Sequence, residues 1–225
     1  MKAVLVDEYD EVTEILEELV RRYRRRTVFV SASAADFSPW GEEEVTQFMR
    51  SLGAALATAG LRIATGLGLG VGNALFTGAV EEVIRRRLGH IEDLIVARPF
   101  PQAIPEAERQ AMWDAYRRSI IGQSGVSIFL FGNKDVGGSV VTADGMRAEF
   151  KIAQELGSVT IPVGATGSMA ETLAAETLAA PDDVVALLGD AGAAAIKKLA
   201  EPTDYLQSLV KPIVELVGTL KAGQR

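Results

Sequence analysis

The chain has 225 residues, 48% of them hydrophobic and 24% charged, with 22 glycines, a formal net charge of −7, one histidine and no cysteine. That balance suits one sizeable folded domain and excludes disulfides, thiolate–metal clusters, a cysteine nucleophile and a multi-histidine metal site, while the acid excess opposes binding to duplex nucleic acid. No stretch reaches the ~20 consecutive apolar residues that span a bilayer, so a cytoplasmic protein without membrane or nucleic-acid partners is expected.

The first segment, DEYDEVTEILEELVRRYRRR (7–26), spaces Val12, Ile15, Leu16, Leu19, Val20 and Tyr23 at helical intervals, with acids early and arginines late. It is expected to be a helix lying against something. TVFVSAS (27–33) follows as a short buried strand, and GEEEVTQFMRSLGAALATAG (41–60) as a helix closed by Gly60. LRIATG (61–66) is a second strand, followed by a loop with glycines at 66, 68, 70 and 72 and an amphipathic helix running to about Arg87. DLIVARPF (93–100), VSIFLFG (126–132) and VTIPVG (159–164) are further strands, separated by helices over PEAERQAMWDAYRRSIIGQS and GMRAEFKIAQELG. Apolar strands alternating with helices predict an α/β fold, a Rossmann-like doubly wound parallel sheet of about five or more strands with helices on both faces and further helices at both ends.

Residues 168–225 differ, being rich in alanine and leucine and lacking a strand signal. Tyr205, Leu206, Leu209, Ile213, Leu216, Val217 and Leu220 are expected on one face of a last helix interrupted at Pro212, docked on the sheet or on a second subunit.

In an open parallel sheet, ligands bind outside the C-terminal strand ends, so the following loops hold the candidates. They are Ser31, Ala32 and Ser33; Gly66, Leu67, Gly68 and Gly70; Arg98; and the stretch GNKDVGGSVVTADG with Asn133, Lys134 and Gly138. Small and glycine-rich loops let backbone N–H groups approach an anion, and the helix opening near Asn73 adds its positive end, which points to a phosphate or pyrophosphate. The ordinary dinucleotide fingerprint follows the first strand, whereas this glycine loop follows the second, which disfavours dehydrogenase-type NAD binding. Glu149 is placed to accept hydrogen bonds from ribose hydroxyls or, alternatively, to face solvent; Arg117 or Arg118 is placed to reach a phosphate, or both are exterior charges.

VFVSASA, RIATGLGLGVGNALFTGA, ARPFPQ, YRRSII, FLFGNK, GMRAEFKIAQELG and IPVGATG, in that order across residues 27–167, together resemble the SLOG superfamily, which includes the LOG phosphoribohydrolases and the DprA proteins. The likeness is greatest to the sensor domain of Thoeris antiphage proteins, also called STALD. The resemblance implies a receptor, with no catalytic residue, metal or cofactor of its own, for a cyclic ADP-ribose isomer made by a TIR enzyme. It also implies homo-oligomers and an attached or associated effector that consumes NAD. By the same resemblance Arg117 contacts phosphate, Lys134 is the ligand lysine, Glu149 binds ribose, and Ser31 to Ser33 with Gly66 to Gly70 wrap the nucleotide. Ala32 stands where the family commonly has glycine. The expected organisation is a connector helix over 1–26 leading from a preceding effector, a nucleotide-binding core over 27–167, and a helical extension of the same domain over 168–225. Two alternatives are a LOG-like nucleoside monophosphate hydrolase, against which Val136 and Met146 replace the LOG proline and threonine, and a purely structural oligomerisation domain.

Overall fold

A computed structural model of the chain describes residues 9–99 and 105–222. Seven strands and nine α-helices are formed by the described residues. The strands are β1 (Thr27–Ser33), β2 (Arg62–Thr65), β3 (Ile95–Ala97), β4 (Val126–Phe131), β5 (Asn133–Val136), β6 (Ser139–Thr142) and β7 (Val159–Pro162). The helices are α1 (Tyr9–Arg24), α2 (Glu42–Thr58), α3 (Gly72–Arg86), the single turn α4 (Ile91–Leu94), α5 (Glu106–Ile121), α6 (Asp144–Glu155), α7 (Ser168–Leu178), α8 (Pro181–Ala200) and α9 (Val210–Ala222).

Five strands form one parallel sheet in the order β3-β2-β1-β4-β7, as the alternation of strands and helices predicts. The chain winds outward from β1 to β3, then returns to the other side of β1 to lay down β4. That reversal puts the switch point, where such sheets form a ligand crevice, at the C-terminal ends of β1 and β4.

Because side chains alternate along a strand, the central strands feed two separate cores. Val28, Val30 and Ala32 of β1, with Val126, Ile128 and Leu130 of β4, face a core completed by α2, α3, α8 and α9. Phe29 and Phe129 face the opposite core, with Ile120 and Ile121 of α5, Met146 and Phe150 of α6, and Leu173 of α7. Ser31 has the parity of Phe29 and so emerges on the α5–α6 side.

The tail belongs to the first core: Ile213, Leu216, Val217 and Leu220 of α9 are buried there, and the Lys221 ammonium donates to the carbonyls of Ala59 and Gly60 at the end of α2. Pro212 lies in the first turn of α9 and does not interrupt it, since an early helical residue needs no N–H donor. Tyr205 departs from the expected face and is exposed, because it precedes a separate turn of 3₁₀ helix over Leu206–Leu209.

Other expectations need correction. β3 is only three residues long, since Ile91–Leu94 makes a helical turn first, and its expected end at Phe100 lies outside the described residues. The stretch 133–142, read as a loop, is an antiparallel hairpin turned by Gly137 and Gly138, both with the positive φ that a tight two-residue turn requires. The α1 helix forms, but none of its residues is buried. Among the described residues no helix is long and apolar enough to cross a membrane.

Helices α2 and α3 are packed backbone to backbone. A Cβ added at Gly78 would stand 2.0 Å from the Arg50 carbonyl oxygen, and one at Gly53 would stand 2.1 Å from that of Leu75. At Gly218 of α9 nothing lies within 4 Å. Urea unfolding is therefore expected to show Gly78→Ala losing about 1–3 kcal/mol through forced separation of the helices. Gly218→Ala should gain up to about 1 kcal/mol from helix propensity.

Candidate functional site

Three buried side chains from three elements meet at the switch point. The Ser31 hydroxyl, at the end of β1, donates to Glu149 Oε2 at 2.5 Å. Arg117 Nε of α5 stands 3.6 Å from Glu149 Oε1, and Arg117 Nη1 donates to Asp114 at 3.1 Å. Ser31, Arg117 and Glu149 are all buried, at 5%, 6% and 9% exposure. The Arg117 guanidinium also lies 5.8 Å from the centre of the Trp113 ring, a cation–π distance.

Helix phase explains why these polar residues point inward. In α6, Met146, Glu149, Phe150 and Ala153 follow the i, i+3, i+4, i+7 spacing of one face, and all four are buried. In α5, Trp113, Arg117, Ile120 and Ile121 share a face in the same way, whereas Arg118 projects outward to Glu155. This resolves the choice between the two arginines in favour of Arg117 as the crevice residue. Gly145, in the first turn of α6, gives that guanidinium room, since a Cβ there would meet Nη2 at 3.1 Å.

Burial pushes the Glu149 carboxyl upward in pKa, opposed by the Ser31 hydroxyl and the Arg117 charge. A carboxylate removed from water is costly unless paired, and here the pairing is partial: one hydroxyl bond and an ion pair of 3.6 Å. The site thus holds a cation shared between two carboxylates, those of Glu149 and Asp114, beside a serine hydroxyl.

The loops around this cluster are fixed by backbone contact. Gly68 and Gly70 lie against the segment leaving β1; added Cβ atoms would approach the carbonyl oxygens of Ala32 and Ala34 to 1.8 and 2.0 Å. The Ala34 N–H donates to the Leu69 carbonyl, and Leu67 adopts a positive φ of 52°. The glycine loop is therefore closely packed against the β1 loop, and its N-terminal portion, Gly66 to Gly68, remains half-buried beside it.

Asn133 is a clamp. Its carbonyl oxygen accepts from the N–H groups of Ala35 and Asp36, and its amide donates to the Asp36 carbonyl and the Ser168 hydroxyl. Lys134, the next residue, is half-buried at the hairpin root and pairs with the exposed Asp144 carboxylate at 3.0 Å. Such a pair is weak, so the ammonium can be redirected at little cost. Gly138 sits at the exposed hairpin tip, where its N–H donates to Asp135. Arg98 is exposed just past β3, with Nη1 donating to Ser119 at 3.4 Å. The structure thus brings Ser31, Arg117 and Glu149 into direct contact, draws the glycine loop against Ala32, and leaves Arg98 and Gly138 outside that cluster.

Asp114 and Trp113 were missed by sequence reasoning, although their i−3 and i−4 offsets from Arg117 put them within reach on the same helix. Among the described residues no group of three or more histidine, aspartate or glutamate side chains is arranged to hold a metal ion.

Comparison with known proteins is consistent with this architecture. The sequence model of STALD, the Sir2- and TIR-associating SLOG family, matches residues 11–220. A protein of Cytobacillus dafuensis named NAD(+) hydrolase ThsA is 37% identical over 231 aligned residues, covering 100% of this chain and 46% of that protein. Proteins of the same name from Acinetobacter baumannii (strain 532279) and Bacillus cereus (strain MSX-D12) are 36% and 40% identical, over 96% and 77% of this chain and 46% and 36% of their own lengths. The chain thus spans less than half the length of these relatives.

The raised proton affinity of Glu149 has a definite sign. The folded state holds that proton more tightly than the unfolded one, so the associated stabilisation is complete below the ordinary value of 4.5 and is lost as pH rises through the folded value. Denaturation of wild type and Glu149→Gln across a pH series should show wild type gaining relative to the variant as the solution is taken from mildly alkaline to acidic. A difference independent of pH would mean that Glu149 titrates as an ordinary exposed carboxylate.

Proposed function

This chain belongs to the Sir2- and TIR-associating SLOG family, and from that membership we propose that it is a nucleotide-sensing regulatory domain whose crevice binds a cyclic ADP-ribose isomer. The single observation that carries the reading is the buried Ser31–Glu149–Arg117 cluster at the sheet's switch point. A carboxylate and a hydroxyl suit ribose hydroxyls, which both donate and accept, and a guanidinium suits a phosphate, to which it can donate twice.

In this reading Glu149 and Ser31 receive a ribose, and Arg117 exchanges part of its contact with Asp114 for a phosphate oxygen. Lys134 leaves Asp144 to pair with a second phosphate. Gly66 to Gly70 and Ser31 to Ser33 line the nucleotide's path, with the Ala32 methyl narrowing it, while Asn133 holds the β1 loop in place. Arg98 and Gly138 mark its outer limits. Residues 27–167 supply the binding core, 1–26 the connection to an effector, and 168–225 a helical extension of the same domain. The chain acts as a homo-oligomer, needs no metal or cofactor, and works in the cytoplasm.

We assign the activity in the relatives' name, NAD(+) hydrolysis, to the parts of those proteins outside the matched region. The signal comes from a TIR enzyme, and its arrival activates the NAD-consuming effector. For that coupling to work, the ligand must bind the active arrangement more tightly than the inactive one, whatever its absolute affinity.

A second reading, hydrolysis of a nucleoside monophosphate, is favoured by the raised proton affinity of Glu149, a condition for a general acid. Calorimetric titration with cyclic ADP-ribose isomers, ADP-ribose and NAD, alongside an assay for base release from nucleoside monophosphates, separates the two. The proposal expects binding of a cyclic isomer without base release. Arg117→Ala, Lys134→Ala and Glu149→Ala should each weaken it by about 10-fold or more, the scale of one charge-assisted hydrogen bond. No binding of any compound would end the sensor reading. Undiminished binding by all three variants, each verified by its melting curve, would end the site assignment.

A further inference from the structure

Two carboxylates meet the Arg117 guanidinium, and they differ in kind. The Glu149 side chain is 11% exposed, and its Oε1 stands 3.6 Å from Arg117 Nε, longer than a normal hydrogen bond. The Asp114 side chain is 41% exposed, and its Oδ1 accepts from Arg117 Nη1 at 3.1 Å. The shorter contact is therefore made by the more accessible carboxylate, the one that an anion arriving from solvent meets first.

The two partners also differ in freedom. Asp114 and Arg117 lie three residues apart on α5, and Gln110, one turn earlier, donates its side-chain amide to both Asp114 oxygens at 3.1 Å. On leaving Arg117, the Asp114 carboxylate thus keeps a neutral donor and gains water, and its short side chain has only to rotate. Arg117 is held: its side chain is 7% exposed, its guanidinium lies 5.8 Å from the Trp113 ring centre, and a Cβ at Gly145 would stand 3.1 Å from its Nη2. In an exchange of partners the guanidinium stays and Asp114 yields.

We propose that Asp114 is a resident competitor for the phosphate subsite of Arg117, a positioning residue that sets how tightly an anion must bind before the guanidinium is released to it. The proposal deepens the nucleotide reading and rests on its placement of a phosphate at Arg117, whichever nucleotide carries that phosphate. An incoming anion gains a charge-assisted hydrogen bond only by displacing one that already exists, so a lone phosphate gains little. A ligand that also reaches Glu149, Ser31 and Lys134 brings further contacts, and these carry it past the same penalty. Asp114 thereby keeps simple anions off the site by opposing them with an internal carboxylate.

The opposite sign of its effect separates Asp114 from a residue that merely supports the fold. Calorimetric titration of the chain with inorganic pyrophosphate is expected to show Asp114→Asn binding about 10-fold tighter than wild type, the scale of one charge-assisted hydrogen bond. Any phosphate-bearing nucleotide that wild type binds should gain by a similar factor, whereas adenosine, which has no phosphate, should not. Because the competition acts through Arg117, adding Asp114→Asn to Arg117→Ala should confer no gain, with Arg117→Lys as the background if the alanine variant fails to melt cooperatively. Pyrophosphate binding that is unchanged or weaker in a folded Asp114→Asn protein would overturn the proposal, and so would an equal gain without Arg117. If wild type binds no nucleotide while Asp114→Asn still gains pyrophosphate through Arg117, the nucleotide reading falls and the competitor role stands.

Discussion

Burying charge in the seam between a parallel sheet and its covering helices is the constraint on which this structure turns. A carboxylate or guanidinium taken from water is tolerated only when partnered, and Glu149 and Arg117 are each buried where a purely structural core would place a hydrophobic residue. Their neighbours on the same helix faces, Met146, Phe150, Ile120 and Ile121, show what the packing alone would select. Replacing such an ion pair with apolar residues often leaves stability unchanged or improved. Its position at the switch point of the sheet therefore fits retention for recognition better than retention for stability.

The surrounding loops can be understood as supports for that cluster. Asn133, the first residue of β5, uses its amide group to tie the root of the hairpin to the β1 loop and to the start of α7. On the other side, the glycines at 68 and 70 permit carbonyl contacts that any side chain would forbid. A recognition site gains affinity when its walls are already in position, because less ordering is lost on binding. Lys134 is the exception, held only by an exposed carboxylate at the root of a hairpin.

Much of the fold was legible in the sequence because each central strand is a short run of β-branched or aromatic residues flanked by turn residues, and each helix has an apolar stripe. The hairpin over 133–142 was not, since KDVGGSVVT lacks a buried face and its strands carry exposed valines, so that the Gly-Gly turn joining them read as part of a loop. For the site, the residue pattern already offered Lys134, Glu149 and either Arg117 or Arg118, and resemblance assigned their roles, while helix phase against Ile120 and Ile121 distinguishes Arg117 from Arg118. The parity of Ser31 with Phe29 likewise places it on the side of α5 and α6. The role of Asn133 was hidden, because its three partner residues, Ala35, Asp36 and Ser168, lie in two segments far from it in sequence. The spacing of α1 was visible as a helix expected to lie against something, whereas none of its residues is buried.

These features describe a buried polar cluster at the switch point, with the Glu149 carboxylate and the Ser31 hydroxyl in contact and the Arg117 guanidinium beside them. The most direct test of that account is a crystal structure of the chain with a bound cyclic ADP-ribose isomer. The account predicts the nucleotide between the glycine loop and α6, with a ribose hydroxyl at Glu149 and Ser31 and a phosphate at Arg117 or Lys134. A nucleotide bound elsewhere, with the Ser31–Glu149–Arg117 cluster untouched, would contradict it.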